Sequence, residues 1–186
     1  YYNKPTQEGL FLHFSTVAKE TDLPIVLYNV PSRTSINMES STVARLSVVK
    51  NIVGIKEASG SLVQVSEIIA SCGPDFSVIS GEDALTWPIL AIGGKGAISV
   101  TANLVPDKCA KLYQAARAGD VQTAKAIHYE LLKLSDILFV ETNPIPVKAA
   151  LVLMGRIENE FRPPLCPPTQ EHLVQLQAVL EAYSLV

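Results

Sequence analysis

Four runs of β-forming residues, Ile25–Val30, Ile52–Ala58, Phe76–Ser80 and Ala97–Thr101, recur along the chain. Stretches of helical periodicity separate them. This alternation constrains the fold more than any other feature. Strands that are almost wholly apolar are buried on both faces, and helices of about ten residues between them impose parallel pairing. An α/β body follows.

The helical stretches carry their own signals. Thr6 is the expected N-cap of a helix whose apolar face is Leu10, Phe14, Val17 and Ala18, and Leu23-Pro24 ends that unit. Pro31-Ser32-Arg33-Thr34 stops the first strand, and Met38 to Val48 reads as a short helix. Ser61 to Ala70 is amphipathic and is broken by Cys72-Gly73-Pro74-Asp75. Ala84 to Ile92 is a further helix, with Asp83 as its expected cap.

After Asn103 the strand signals cease. Helices are expected from Val105-Pro106 to about Arg117, from Val121 to about Ser135, from an Asn143 cap with Pro144 in the first turn to about Met154, and from Thr169 to Tyr183. Residues 161–168 form a proline-rich linker. The expected division is therefore 1–118 as α/β body and 119–186 as a helical region. No solenoid repeat is present.

Composition excludes several function classes. With 48% hydrophobic and 18% charged residues, the 186-residue chain can bury a sizeable core. A net charge of −3 gives no basic footprint for nucleic acid. No apolar run reaches membrane-span length. Cys72, Cys109 and Cys166 lie far apart and read as thiols of a reducing compartment. Zinc spacing is absent, and His13, His128 and His172 read as surface or core histidines. The chain opens Tyr1-Tyr2-Asn3-Lys4-Pro5, without methionine or signal-peptide pattern, and reads as the tail of a strand from a longer protein.

The chemistry concentrates in Val53-Gly54-Ile55-Lys56-Glu57-Ala58-Ser59. A lysine at the C-terminal end of a buried parallel strand points into a site, and desolvation there favours its neutral amine. That amine is what Schiff-base formation with a carbonyl requires. The alternative is a strand-end lysine that snorkels its head to water. Tyr28 ends the preceding strand, and strand C-terminal ends converge on one face. Its phenol can shuttle protons, or it can be a core tyrosine with a satisfied hydroxyl. Arg33, in the following loop, suits bidentate capture of a carboxylate or stands solvated.

Two other motifs are weaker. Gly93-Gly94-Lys95-Gly96 lacks nucleotide-loop spacing and precedes a strand, so it reads as a tight helix-to-strand turn. Glu82 and Asp83 are adjacent acids without a third ligand, and no metal site is assigned.

Taken together, Tyr1–Pro5, Tyr28-Asn29-Val30-Pro31-Ser32-Arg33-Thr34, Gly54-Ile55-Lys56-Glu57-Ala58 and Asn143-Pro144-Ile145-Pro146-Val147-Lys148 resemble the dihydrodipicolinate synthase family, also called 4-hydroxy-tetrahydrodipicolinate synthase. The resemblance covers essentially the whole chain. It implies a class I, pyruvate-dependent aldolase type: a (β/α)8 TIM barrel with a C-terminal helical region, of which this chain would be roughly the second half. It implies a cytoplasmic homotetramer, a dimer of dimers, acting on pyruvate and L-aspartate 4-semialdehyde in lysine biosynthesis. No metal or organic cofactor is implied beyond the covalent Schiff base on Lys56.

By the same resemblance, Tyr28 is proton donor and acceptor, and Tyr2 is a relay tyrosine contributed across a subunit interface. Arg33 receives the semialdehyde carboxylate. Ile98 lines the pyruvate site with Gly81 near it, and Tyr1 belongs to a lysine feedback site. The sister N-acetylneuraminate lyases share the lysine and tyrosine but lack the Pro31-Ser32-Arg33 pattern. The paired threonines that hold the pyruvate carboxylate in the family belong to strands this chain does not contain. A catalytically silent half-barrel, active only in assembly, is the alternative expectation.

Overall fold

The computed structural model describes residues 2–186. It divides into two units, one ending at Ile98 and the other running from Ser99 to Val186.

In the first unit, helix α1 (Gln7–Lys19) starts where Thr6 Oγ1 accepts the Gly9 amide at 3.2 Å. Glu8 in its first turn and Lys19 in its last complement the helix dipole. Strand β1 (Ile25–Asn29) follows, then the one-turn helix α2 (Pro31–Thr34) and helix α3 (Ser40–Ser47). Strand β2 (Ile52–Glu57) leads to α4 (Leu62–Ser71), capped by Ser61, whose Oγ accepts the Gln64 amide at 3.1 Å. Strand β3 (Ser77–Ser80), a 3-10 turn at Asp83–Leu85, α5 (Thr86–Ala91) and β4 (Gly96–Ala97) complete the unit.

The strands form one parallel sheet in the order β1-β2-β3-β4. Sequential parallel neighbours joined by helices are the arrangement that the wall of a barrel requires. Leu27, Ile55 and Val78 point from the sheet into a core shared with Val43, Leu46, Val65, Ile68 and Ile89. The opposite face carries Val26 and Tyr28, which are 43% and 46% exposed, so that face is open.

Two details of this unit differ from the sequence reading. The fourth strand is confined to Gly96–Ala97 and not to 97–101. Ile98 adds one more ladder bond, its amide to Ser80 O at 2.9 Å, and then Ser99 Oγ accepts the Ala102 amide and turns the chain into a 3-10 helix, Thr101–Asn103. Asp83 is not a cap: Glu82 holds that position, and Ser80 Oγ, bonded to both the carbonyl and the amide of Glu82, shapes the turn. The glycine turn at 93–96 behaves as expected. Lys95 donates its amide to Val78 O at 2.8 Å and its ammonium to Pro74 O, which makes Lys95 a structural lysine.

The second unit is helical: α6 (Pro106–Ala118), α7 (Val121–Ile137), α8 (Ile145–Leu153) and α9 (Gln170–Ala182). Gly119 closes α6 in the left-handed region at φ 74°, where a side chain would be strained, and Asp120 then caps α7. The cap of α8 is Pro144, not Asn143, and the Asn143–Pro144 peptide is cis. Among the described residues the three cysteines form no disulfide, and no helix is long and apolar enough to cross a membrane.

Candidate active site

Lys56 and Tyr28 are register partners on adjacent strands, β2 and β1. Both project from the open face of the sheet near its C-terminal edge. Lys56 is half-buried, and its Nζ lies 4.1 Å from the centroid of the Tyr28 ring. The ring thus supports the amine from one side, a cation–π geometry when the amine is protonated.

Gly81 bounds the lysine on the other side. A Cβ built there would sit 2.9 Å from Ala58 Cβ, 3.0 Å from Lys56 Cε and 3.1 Å from Lys56 Cγ. Glycine at 81 is therefore what lets the Lys56 stem rise past the end of β3. The Gly81 amide also continues the ladder, donating to Glu57 O at 2.8 Å. Ile98, just beyond β4 and 51% exposed, follows at the same edge.

Arg33 lies in α2, immediately past the strand end that bears Tyr28, and its side chain is exposed. Tyr2 stands in a turn and is 93% exposed, so it packs on neither Lys56 nor Tyr28. Tyr1 lies outside the described residues. The structure thus brings Lys56, Tyr28 and Gly81 into one constellation, with Ile98 just past β4 and Arg33 in the helix that follows β1.

Sequence reasoning missed the residues behind this site. Asn29 and Glu57 are the next register pair, and they point to the buried, helix-covered face, where Glu57 is 1% exposed. Asn29 Nδ2 lies 3.1 and 3.0 Å from the two Glu57 oxygens. The Ser59 amide donates to Glu57 Oε1 at 2.7 Å, and Gln64 Nε2 donates to Oε2 at 3.2 Å. Asn29 Oδ1 accepts the Met38 amide at 2.9 Å, and Asn37 links to Asn29 and to Gln64. The available signal was an acid in a strand that is otherwise apolar, since a buried carboxylate persists only where its oxygens are hydrogen-bonded.

Among the described residues, no group of three His, Cys, Asp or Glu side chains could hold a metal ion.

The model of the "Dihydrodipicolinate synthetase family" matches residues 1–183. This chain belongs to the dihydrodipicolinate synthetase family. A curated relative, 4-hydroxy-tetrahydrodipicolinate synthase of Citrifermentans bemidjiense, is 52% identical over all of this chain and 64% of its own length. The dihydrodipicolinate synthase of Aquifex aeolicus superposes with a TM-score of 0.97 at 48% identity, over 100% of this chain and 64% of that one. The chloride-inhibited dihydrodipicolinate synthase of Acinetobacter baumannii, solved complexed with pyruvate, matches at 0.97 and 40% identity, again over 100% and 64%. The chain therefore spans about 64% of the length of the family members it matches, and its parallel sheet is part of their α/β barrel.

Proposed function

We propose that the protein is a 4-hydroxy-tetrahydrodipicolinate synthase whose nucleophile is Lys56. The observation that carries this reading is the register pairing of Lys56 with Tyr28 at one edge of the sheet, in a chain of this family.

The neutral Lys56 amine adds to the keto carbon of pyruvate. Loss of water from the carbinolamine, with one proton taken from solvent, yields an iminium, and Tyr28 gives and recovers the protons that move in the steps after it. A methyl proton leaves to give the enamine, which attacks the aldehyde carbon of L-aspartate 4-semialdehyde. The semialdehyde's own amine then displaces Lys56 as the ring closes. Lysine acts as the electron sink, so the reaction calls for no metal or organic cofactor.

Arg33 pairs with the semialdehyde carboxylate, Ile98 and Gly81 border the pyruvate pocket, and Tyr2 completes the proton relay in a neighbouring subunit of a homotetramer. Tyr1 contributes to a site for lysine as feedback inhibitor, and the enzyme works in the cytoplasm. Residues 1–118 belong to the barrel and 119–186 to the helical region. The test is substrate choice. The protein should consume pyruvate with L-aspartate 4-semialdehyde and leave N-acetylneuraminate untouched. Cleavage of N-acetylneuraminate alone would make it a lyase.

A second reading concerns the 186 residues taken alone, and it rests on the open apolar face at Val26 and Tyr28. Without a cover for that face the chain would associate through it and not turn over substrate. Size-exclusion chromatography with an activity assay separates the two readings, because a monomeric, active 186-residue chain contradicts this one.

A further inference from the structure

A carboxylate that is 1% exposed and tied down by amides is an expensive way to join two strands. An apolar pair would hold β1 to β2 at lower cost. The position of Glu57 explains its presence. It follows Lys56 directly, and its cross-strand partner Asn29 follows Tyr28. Successive residues of a strand point to opposite faces. The pair that carries the chemistry and the pair that carries the hydrogen bonds are therefore the two sides of the same strand ends.

Each Glu57 oxygen takes two donors. One donor, Asn29 Nδ2, comes from the neighbouring strand, and the others come from the loop after β2 and from α4. Asn29 in turn holds the segment leading into α3 through the Met38 amide. The network fixes the twist and separation of β1 and β2 at the level where Tyr28 and Lys56 meet.

We infer that Glu57, acting with Asn29 and Gln64, is a positioning residue for the Tyr28–Lys56 pair, setting the alignment on which proton transfer after imine formation depends. This rests on the function proposed above. Lys56 needs little help to meet a ketoacid, because its stem is long and flexible. The transfer of a proton between Tyr28 and the adduct needs both groups in place, and a displacement of about 1 Å costs on the order of 100-fold in such a step. The network should therefore govern turnover and not adduct formation.

The experiment uses the full-length protein and two variants. Glu57→Gln keeps the shape but turns an amide toward the donors of Asn29 and Gln64. Gln64→Ala removes one donor from the half-buried margin, where folding is safe. Folded fraction is checked by circular dichroism. Sites are then titrated with pyruvate and borohydride, with mass spectrometry of the Lys56 peptide, and turnover is expressed per titrated site.

The expected result is adduct occupancy per folded subunit equal to wild type. Turnover per titrated site should fall about 10- to 100-fold in Glu57→Gln and about threefold or more in Gln64→Ala, with KM for both substrates within about twofold. Combined with Tyr28→Phe, Glu57→Gln should add little further loss. Unchanged turnover per titrated site in either folded variant overturns the inference, since a purely structural residue would only lower the number of sites. Full additivity with Tyr28→Phe overturns it too. Failure of the wild type to label at Lys56 would instead remove the proposed function, and the inference with it.

Discussion

The amine of Lys56 rests against the ring of Tyr28, 4.1 Å from its centroid, across two parallel strands in register. The contact uses the face of the ring, so the ring and the hydroxyl have separable duties. The ring orients the amine, and the hydroxyl moves protons.

Tyr28→Phe should separate them. The variant keeps the ring and so should still form the pyruvate adduct at Lys56, while turnover falls on the order of 100- to 10,000-fold. Steady-state rates beside adduct yields check this. A parallel collapse of both would assign the hydroxyl to imine formation as well.

Gly81→Ala tests the passage of the lysine stem. The added Cβ meets Ala58 Cβ at 2.9 Å and Lys56 Cε at 3.0 Å. Overpacking of this kind costs about 1–3 kcal/mol, and the flexible lysine is the easier neighbour to move. Turnover should fall at least about tenfold while thermal stability drops by only a few degrees. Wild-type kinetics in this variant would show that the stem has another route.

Arg33→Ala addresses substrate choice. The loss of a charge-assisted contact to a carboxylate costs on the order of 2–4 kcal/mol, roughly 30- to 1,000-fold. That loss should appear in KM for L-aspartate 4-semialdehyde, with KM for pyruvate nearly unchanged. Equal effects on both would make Arg33 a structural residue.

In the helical unit, His172 Nδ1 lies 2.6 Å from Glu141 Oε1, which also accepts the Thr169 amide at the start of α9. The hydrogen bond from the His172 side chain, with that of the Thr169 backbone, holds the Glu141 carboxyl below the usual glutamate range. A depressed carboxyl contributes stability above its unfolded pKa, about 4.3, and loses it as pH falls through the folded value. Glu141→Gln should therefore be less stable than wild type at neutral pH, and the gap should close toward about pH 3. Urea midpoints across that range measure it, and a pH-independent gap would place the effect elsewhere.

Much of this was legible in the residues because the barrel wall and its chemistry obey local rules. Apolar strands, helix caps at Thr6 and Ser61, and a lysine at a strand end each announce themselves. What the residues hid depends on partners distant in the chain. The shortening of the fourth strand follows from Ser99 capping a turn and from Thr101 bonding Ser135, 34 residues on. The pairing of Asn29 with Glu57 spans 28 residues and depends on register, which neither short stretch reveals. The residues place Gly81 near the pocket, but that a methyl there would meet the lysine depends on how β2 and β3 lie side by side.

The most direct measurement is the site of covalent capture. Full-length protein incubated with pyruvate and borohydride, then digested and mapped by mass spectrometry, should carry one reduced pyruvate adduct per subunit, on Lys56. An adduct on Lys95 or Lys148, or no adduct at all, would contradict the account.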